Sequence, residues 1–273
     1  MHRIGFGAMQ LPGPGVFGPP RDRAEAIAVV RRAVELGADH IDTAQYYGPD
    51  VANEILHEAL APIPDSIALV SKVGAQRDDN GGWIPAQRPE QLRSGVEDNL
   101  RALGVGQLAA VNLRLLDAGH DTQQVPFDEQ LDAMTAMRDE GLIAGIGLSN
   151  ISTEQFEHAV ARTEIACVQN PFNLADRSSL PLVRATADRG IAFVPFFPLG
   201  SAFGGQDKLL GDPAVVGAAD RLGATPAQVA LAWVLAISPN TLLIPGTSSR
   251  GHLEENFAAG SVELDAKALA DLG

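Results

Sequence analysis

The sequence predicts an α/β fold, a parallel (β/α)8 barrel occupying residues 1–273 as a single domain. Three observations carry that reading. Short apolar runs of strand type alternate with amphipathic segments along the whole chain, the order that yields a parallel sheet covered by helices. The length, 273 residues, suits one barrel domain of the TIM type. No linker, repeat or low-complexity stretch divides the chain. The competing closure, an open doubly wound sheet, expects a Gly-x-Gly-x-x-Gly turn after its first strand. The chain is read here as lacking that fingerprint, and no Lys follows a Gly as a phosphate loop would require.

Element by element, Ile4 to Leu11, followed by several Gly and Pro, reads as a short N-terminal β-hairpin ahead of the barrel. Ile27, Val30 and Val34 share a helix face, with Gly37 as the stop. His40–Asp42 and Ile67–Lys72 read as buried strands. The loop from Ala75 to Arg88 should overhang the end of the second. Leu92, Val96, Leu100 and Leu103 form the next helical stripe, begun by Pro89 and ended by Gly104. Leu108–Leu116 is a strand, and Phe127, Leu131 and Met134 form a stripe ended by Gly141. Further strands are expected at Leu142–Ser149, Ile165–Gln169, Ile191–Phe197 and Thr241–Ile244. Thr225-Pro-Ala-Gln228 is a capping box with Pro at the first helical position.

A formal net charge of −14 sets aside nucleic acid and anionic lipid surfaces as partners. The single cysteine, Cys167, cannot form an internal disulfide, and its apolar neighbours predict a buried thiol. The N-terminus lacks a signal-peptide pattern and no run has the length of a membrane span, so the expected compartment is the cytoplasm. The six His are scattered, and His57-Glu-Ala-Leu-Ala lacks the second His of a zinc helix, so no metal is expected.

In such barrels the active site lies at the C-terminal ends of the strands. Asp42, Lys72, Leu116-Asp117, Ser149-Asn150, Gln169-Asn170 and Phe196 end successive strands, and Tyr46-Tyr47 follows the first. Tyr47 alone reads equally well as an amphipathic loop aromatic, and Lys72 as a strand-end lysine snorkelling to solvent. Together with Asp42 they make a proton-donor assembly. Lys72 beside the phenol is expected to lower its pKa, and Asp42 to keep Lys72 charged and oriented.

Asp42-Thr-Ala-Gln-Tyr-Tyr-Gly48, Ser71-Lys-Val-Gly74, Gly147-Leu-Ser-Asn150, Gln169-Asn-Pro-Phe-Asn173 and Ile244-Pro-Gly-Thr-Ser-Ser249 to Asn256 resemble the aldo-keto reductases, in that family's order and spacing. The resemblance runs from about Ile4 to the C-terminus and implies a barrel that reduces a small carbonyl substrate with NADPH, without a Rossmann fingerprint. Asp42, Tyr47 and Lys72 match three members of the catalytic tetrad. The fourth, a His, falls on Asp117, which could accept a hydrogen bond from substrate or, protonated, donate one. His120 either reaches in from the loop or is solvated. Ser149, Asn150 and Gln169 match residues that hold the nicotinamide carboxamide, and Phe196 the aromatic that stacks on its ring. Leu199 and Ser201 match positions near the pyrophosphate. Gly246, Thr247, Ser248, Arg250, Glu255 and Asn256 fall in the segment for the 2′-phosphate and adenine, where a helix N-terminus suits a phosphate. Arg250 is either a contact that favours NADPH or a surface arginine; His252 stands where many members carry an Arg. Trp83 is either a pocket wall or a cover of the barrel edge. The Val111-Asn-Leu-Arg114 form is similar to a bacterial subgroup associated with pyridoxal reductases. Two other activities stay open: a nicotinamide-binding sensor with little turnover, and a lyase using Lys72 as a Schiff-base amine.

Overall fold

The computed structural model describes residues 1–116, 125–200 and 204–273. Its strands are β1 Phe6–Gly7, β2 His40–Asp42, β3 Ala68–Arg77, β4 Trp83–Ala86, β5 Ala110–Arg114, β6 Ile146–Ser149, β7 Cys167–Gln169 and β8 Ala192–Phe193. They form a curled sheet in the order β1-β2-β3-β5-β6-β7-β8, every pair on that path parallel. Helices such as Arg23–Glu35, Val51–Leu60, Pro89–Leu103 and Phe127–Asp139 connect successive strands. No helix among the described residues is long and apolar enough to cross a membrane.

The side-chain period of two sorts each strand into two faces. Ile41, Leu69, Val111, Leu113, Ile146, Leu148, Val168 and Phe193 point outward and pack in one large core with the helices. Ala110, Cys167 and Val194, with Val70, Ala192, Leu242 and Ile244, form a second and smaller core on the inner face. Strand register places Lys72 beside Asn112, and Arg114, Ser149 and Gln169 in one cross-strand row above that inner core. Polar groups thus collect at the C-terminal ends, over an apolar plug.

Helix ends follow the sequence signals. Asp22 accepts from Glu25 N at 2.9 Å, Thr225 and Gln228 form the expected capping box, and Gly104 takes the left-handed conformation (φ 68°) that ends Pro89–Leu103.

Several expectations are corrected. The opening segment is no hairpin. Phe6–Gly7 pairs in parallel with Ile41–Asp42 as the first strand of the sheet, and Phe6 is fully buried, which a hairpin with a solvated face would not allow. The Gly-x-Gly-x-x-Gly spacing does occur, at Gly13-Pro-Gly-Val-Phe-Gly18. It forms a short turn around Pro14–Val16 and opens no helix, because the next helix starts only at Arg23, after Pro19 and Pro20. The loop after Lys72 is an antiparallel arm: β3 runs on to Arg77 and returns as β4. Asp78 shapes its turn by accepting from Asn80 N and Gly82 N at 2.8 and 2.7 Å. Finally, Ile191–Phe197 pairs as a strand only over Ala192–Phe193, and Thr241–Ile244 makes isolated parallel bridges, Phe193 to Thr241 and Ile4 to Leu243. Pro195, Pro198 and Pro245 lack the N–H that longer ladders need.

Candidate active site

Asp42 ends β2 and Lys72 lies within β3, so neighbouring strands deliver an acid and a base to one point. The two form a buried ion pair, their side chains 6% and 5% exposed. Such a pair survives burial only when its remaining hydrogen-bonding capacity is filled. Here Lys72 Nζ also donates to Thr43 O at 2.9 Å, and Gln169 Nε2 donates to the other Asp42 oxygen at 2.6 Å. The ammonium lies 4.9 Å from the centre of the Tyr47 ring.

Tyr47 is buried, and its pKa is pushed up, first by burial and then by the negative charge of Asp42, with Arg114 pulling the other way. This reverses the expected lowering by Lys72. The lysine is bound to the carboxylate, so Asp42 offsets its field, and the loss of water dominates. The phenol therefore holds its proton at neutral pH.

Two cavities meet at this point. A groove of about 370 Å³ is lined by Gly7, Gln10, Asp42, Gln169, Leu199 and Gly246 to Ser248, among others. A smaller, more apolar cavity of about 260 Å³ is walled by Tyr46, Trp83, Arg114 and Leu116. Met9, Tyr47, Lys72, Phe196 and Phe197 line both. Tyr47 thus stands at the junction of the groove and the smaller pocket.

Of the residues expected from sequence, Asp42, Tyr47, Lys72, Gln169, Phe196, Leu199, Gly246, Thr247 and Ser248 lie on the groove, as does His252. Trp83 stands in the wall of the smaller cavity, edge-on to Tyr46 with ring centres 5.3 Å apart. Ser149 and Asn150 sit at the end of β6, where Ser149 Oγ accepts from Arg114 and Asn150 donates to Leu115 O at 2.8 Å. Arg250 pairs with Glu25 at 3.1 Å on the surface. Glu255 accepts from the Thr225 hydroxyl and, through its carbonyl, from Gln228 at 3.1 Å. Asn256 is buried in the helix Arg250–Ala258, and neither Glu255 nor Asn256 lines the groove. Asp117, His120 and Ser201 lie outside the described residues.

Met9, Tyr46, Arg114 and Phe197 line the cavities without having been singled out. For Arg114 a signal existed: it follows Asn112 by two residues on one strand, so both side chains share the inward face.

The groove also tests a bound nicotinamide. Gln169 spends its amide on Asp42 and keeps Oε1 buried without a donor. A carboxamide N–H is the kind of group that this acceptor lacks. Gly246 lies so close to Gly7 that a Cβ there would meet Gly7 O at 2.7 Å, so the backbone itself forms that part of the floor. The residues fit the cofactor.

An α/β sheet with an acid, a lysine and a tyrosine at its strand ends, opening on such a groove, defines an oxidoreductase of the aldo-keto type. Residues 3–272 match the Aldo/keto reductase family, and the chain belongs to it. It is 48% identical over 273 residues to pyridoxine 4-dehydrogenase of Escherichia coli, covering 100% of this chain and 94% of that one. It is 37% identical to an uncharacterized oxidoreductase of Schizosaccharomyces pombe, over 100% of this chain and 86% of the relative. Among solved structures, an aldo/keto reductase from Klebsiella pneumoniae in complex with NADP and acetate superposes with a TM-score of 0.82 at 28% identity, covering 99% of this chain and 89% of that one.

Proposed function

We propose that this enzyme reduces an aldehyde or ketone with NADPH, with pyridoxal or a similar small carbonyl compound as substrate and Tyr47 as the proton donor. The observation that carries the reading is the Asp42–Lys72–Tyr47 assembly at the junction of the two cavities. The name of the Escherichia coli relative supports the substrate class. The Klebsiella structure, with its NADP, supports the cofactor.

Bound NADPH supplies the hydride. The rest is done by the chain. Tyr47 holds a proton on Oη and gives it to the substrate oxygen. Lys72, paired with Asp42, stabilises the phenolate left behind. Gln169 holds Asp42 in place and offers its free Oε1 to the carboxamide, with Ser149 and Asn150 beside it. Phe196 forms the apolar wall against the ring. Leu199, on the groove, would meet the pyrophosphate, and the same role is proposed for Ser201. Gly246, Thr247 and Ser248, at the entry to the helix Arg250–Ala258, suit the adenosine phosphate, with Glu255 and Asn256 behind them. Arg250 would exchange Glu25 for that phosphate. Asp117 or His120 would take the part of the missing tetrad His toward the substrate oxygen. The fold on which this site stands is a (β/α)8 barrel closed through residues 241–243, a reading that the bridges Phe193–Thr241 and Ile4–Leu243 support.

The test is NADPH consumption against a panel of carbonyl compounds including pyridoxal, beside a cofactor titration by fluorescence. Turnover is expected in the wild type. Tyr47→Phe should lower it by about 100-fold or more, the scale of general acid catalysis, while the cofactor still binds. Wild-type turnover in that variant would remove Tyr47 as donor, and binding without turnover in the wild type would favour a sensor.

A further inference from the structure

Arg114 has no role in the assembly described so far, yet it stands in the substrate cavity. It ends β5 on the inward face, in the same row as Ser149 and Gln169. Its guanidinium lies 5.1 Å from the centre of the Phe196 ring, and it shares the 260 Å³ cavity with Tyr46, Tyr47, Lys72 and Trp83. Many arginines of this acidic chain find carboxylates, as Arg93 finds Glu140 and Arg221 finds Asp265, and others, such as Arg3 and Arg77, are bound by two or more backbone carbonyls. Arg114 finds none among the described residues. One nitrogen donates to Ser149 Oγ at 3.1 Å, and a guanidinium has five N–H donors. Lys72, the other cation of the cavity, is already bound to Asp42 and Thr43 O. A half-buried cation with aromatic walls and no carboxylate partner among the described residues is a costly arrangement unless a ligand completes it. Apart from Lys72, the other lining side chains among the described residues are uncharged: rings, Met9 and Leu116.

We infer that Arg114 binds an anionic oxygen carried by the substrate next to its reacting carbonyl, so that the pocket selects aromatic aldehydes with an ionised hydroxyl ortho to the aldehyde. The flat walls of Trp83, Tyr46 and Phe196 suit an aromatic ring. The volume, below the roughly 300–1,000 Å³ of drug-sized sites, suits a single substituted one. The guanidinium is braced by Ser149 and the Phe196 face and lines the cavity. The same positive charge draws down the pKa of the neighbouring Tyr47 phenol, so a substrate anion and the proton donor would both lie in its field. The inference rests on the carbonyl-reductase reading but is tested without turnover.

The experiment is calorimetric titration of the NADP⁺-loaded protein with pyridoxal and with its 3-deoxy analogue, which lacks only the ring hydroxyl. The wild type should bind pyridoxal tighter by about tenfold or more, the scale of a charge-assisted hydrogen bond. Arg114→Met should erase the difference by weakening pyridoxal alone. Arg114→Lys, which keeps the charge, should restore part of it and guards against a Met variant that fails to fold. Equal binding of the two ligands by wild type, an undiminished preference in Arg114→Met, or binding of neither ligand would overturn the assignment. Preference for pyridoxal without NADPH turnover would instead leave Arg114 as the anion site and sink the reductase reading, so the two failures are distinct.

Discussion

Lys72 and Asp42 are each buried at the expense of hydration, and each is tolerated only because of the other. Lys72→Met leaves the carboxylate uncompensated. It should lower unfolding free energy by roughly 3–5 kcal/mol, read by urea denaturation, and should also abolish turnover. Cys167 shows the milder face of the same physics. It sits in the inner core with its thiol 3.4 Å from Asn112 Oδ1. Burial, then the charge of Asp42, pushes its pKa up to about 12, while Lys72 pulls it down. Thiolate is the reactive form and appears only as pH approaches that value. The native protein should therefore resist thiol reagents from neutral to mildly alkaline pH, and labelling should track unfolding; fast labelling of the folded protein at neutral pH would contradict the burial. The burial of Cys167 was legible from its apolar neighbours. The isolation of Arg114 was not, since strand parity says which face it takes but not what stands opposite.

The elements are held in relation by a polar chain that the sequence pattern does not announce. Thr43 Oγ1 donates to Asn53 Oδ1 at 2.7 Å, Asn53 Nδ2 to Asn99 Oδ1 at 2.9 Å, and Ser71 Oγ to the same Asn99 oxygen at 2.6 Å. Thr43 and Ser71 flank Asp42 and Lys72 in sequence, so the helix Pro89–Leu103 holds one strand end directly and the other through Asn53 of the helix Val51–Leu60. The apolar stripe Leu92, Val96, Leu103 was legible, but Leu100 was expected in it and lies half-buried, while Asn99 is fully buried. Periodicity ranks residues by hydrophobicity and so cannot select an asparagine whose partners lie on other elements. Asn99→Leu would leave the Asn53 amide and Ser71 hydroxyl without an acceptor. The expected loss is about 2–6 kcal/mol, at about 1–3 kcal/mol for each of the two unsatisfied buried groups. A second consequence is a fall in kcat, since the strand ends carry Asp42 and Lys72. Unchanged stability by urea denaturation would mean that water replaces the amide.

At the scale of the whole chain the question is what joins its two ends. The sheet was legible from strand–helix alternation, yet its first strand was taken for a hairpin, because two paired residues, Phe6–Gly7, carry too little pattern to be recognised. Its last segment is equally thin, held to the first by Gly5 N on Leu243 O and Leu243 N on Arg3 O, both at 2.8 Å. Arg3 reinforces this seam. Its guanidinium donates to Leu235 O and Ser238 O at 2.7 Å and to Thr241 O at 3.2 Å, the carbonyls that end one helix and begin the closing segment. Three carbonyls on one cation tie the N-terminus to the C-terminal quarter of the chain. Because the group is partly solvated, Arg3→Met should cost only about 1–3 kcal/mol. The effect should also be local. Amide exchange at Gly5, Leu242 and Leu243 should quicken more than at Val111 or Leu148 in the middle of the sheet, since opening the seam does not require the central strands to separate. Uniform acceleration across all these amides would instead mean that the seam opens only with global unfolding, and that seam and sheet form one cooperative unit.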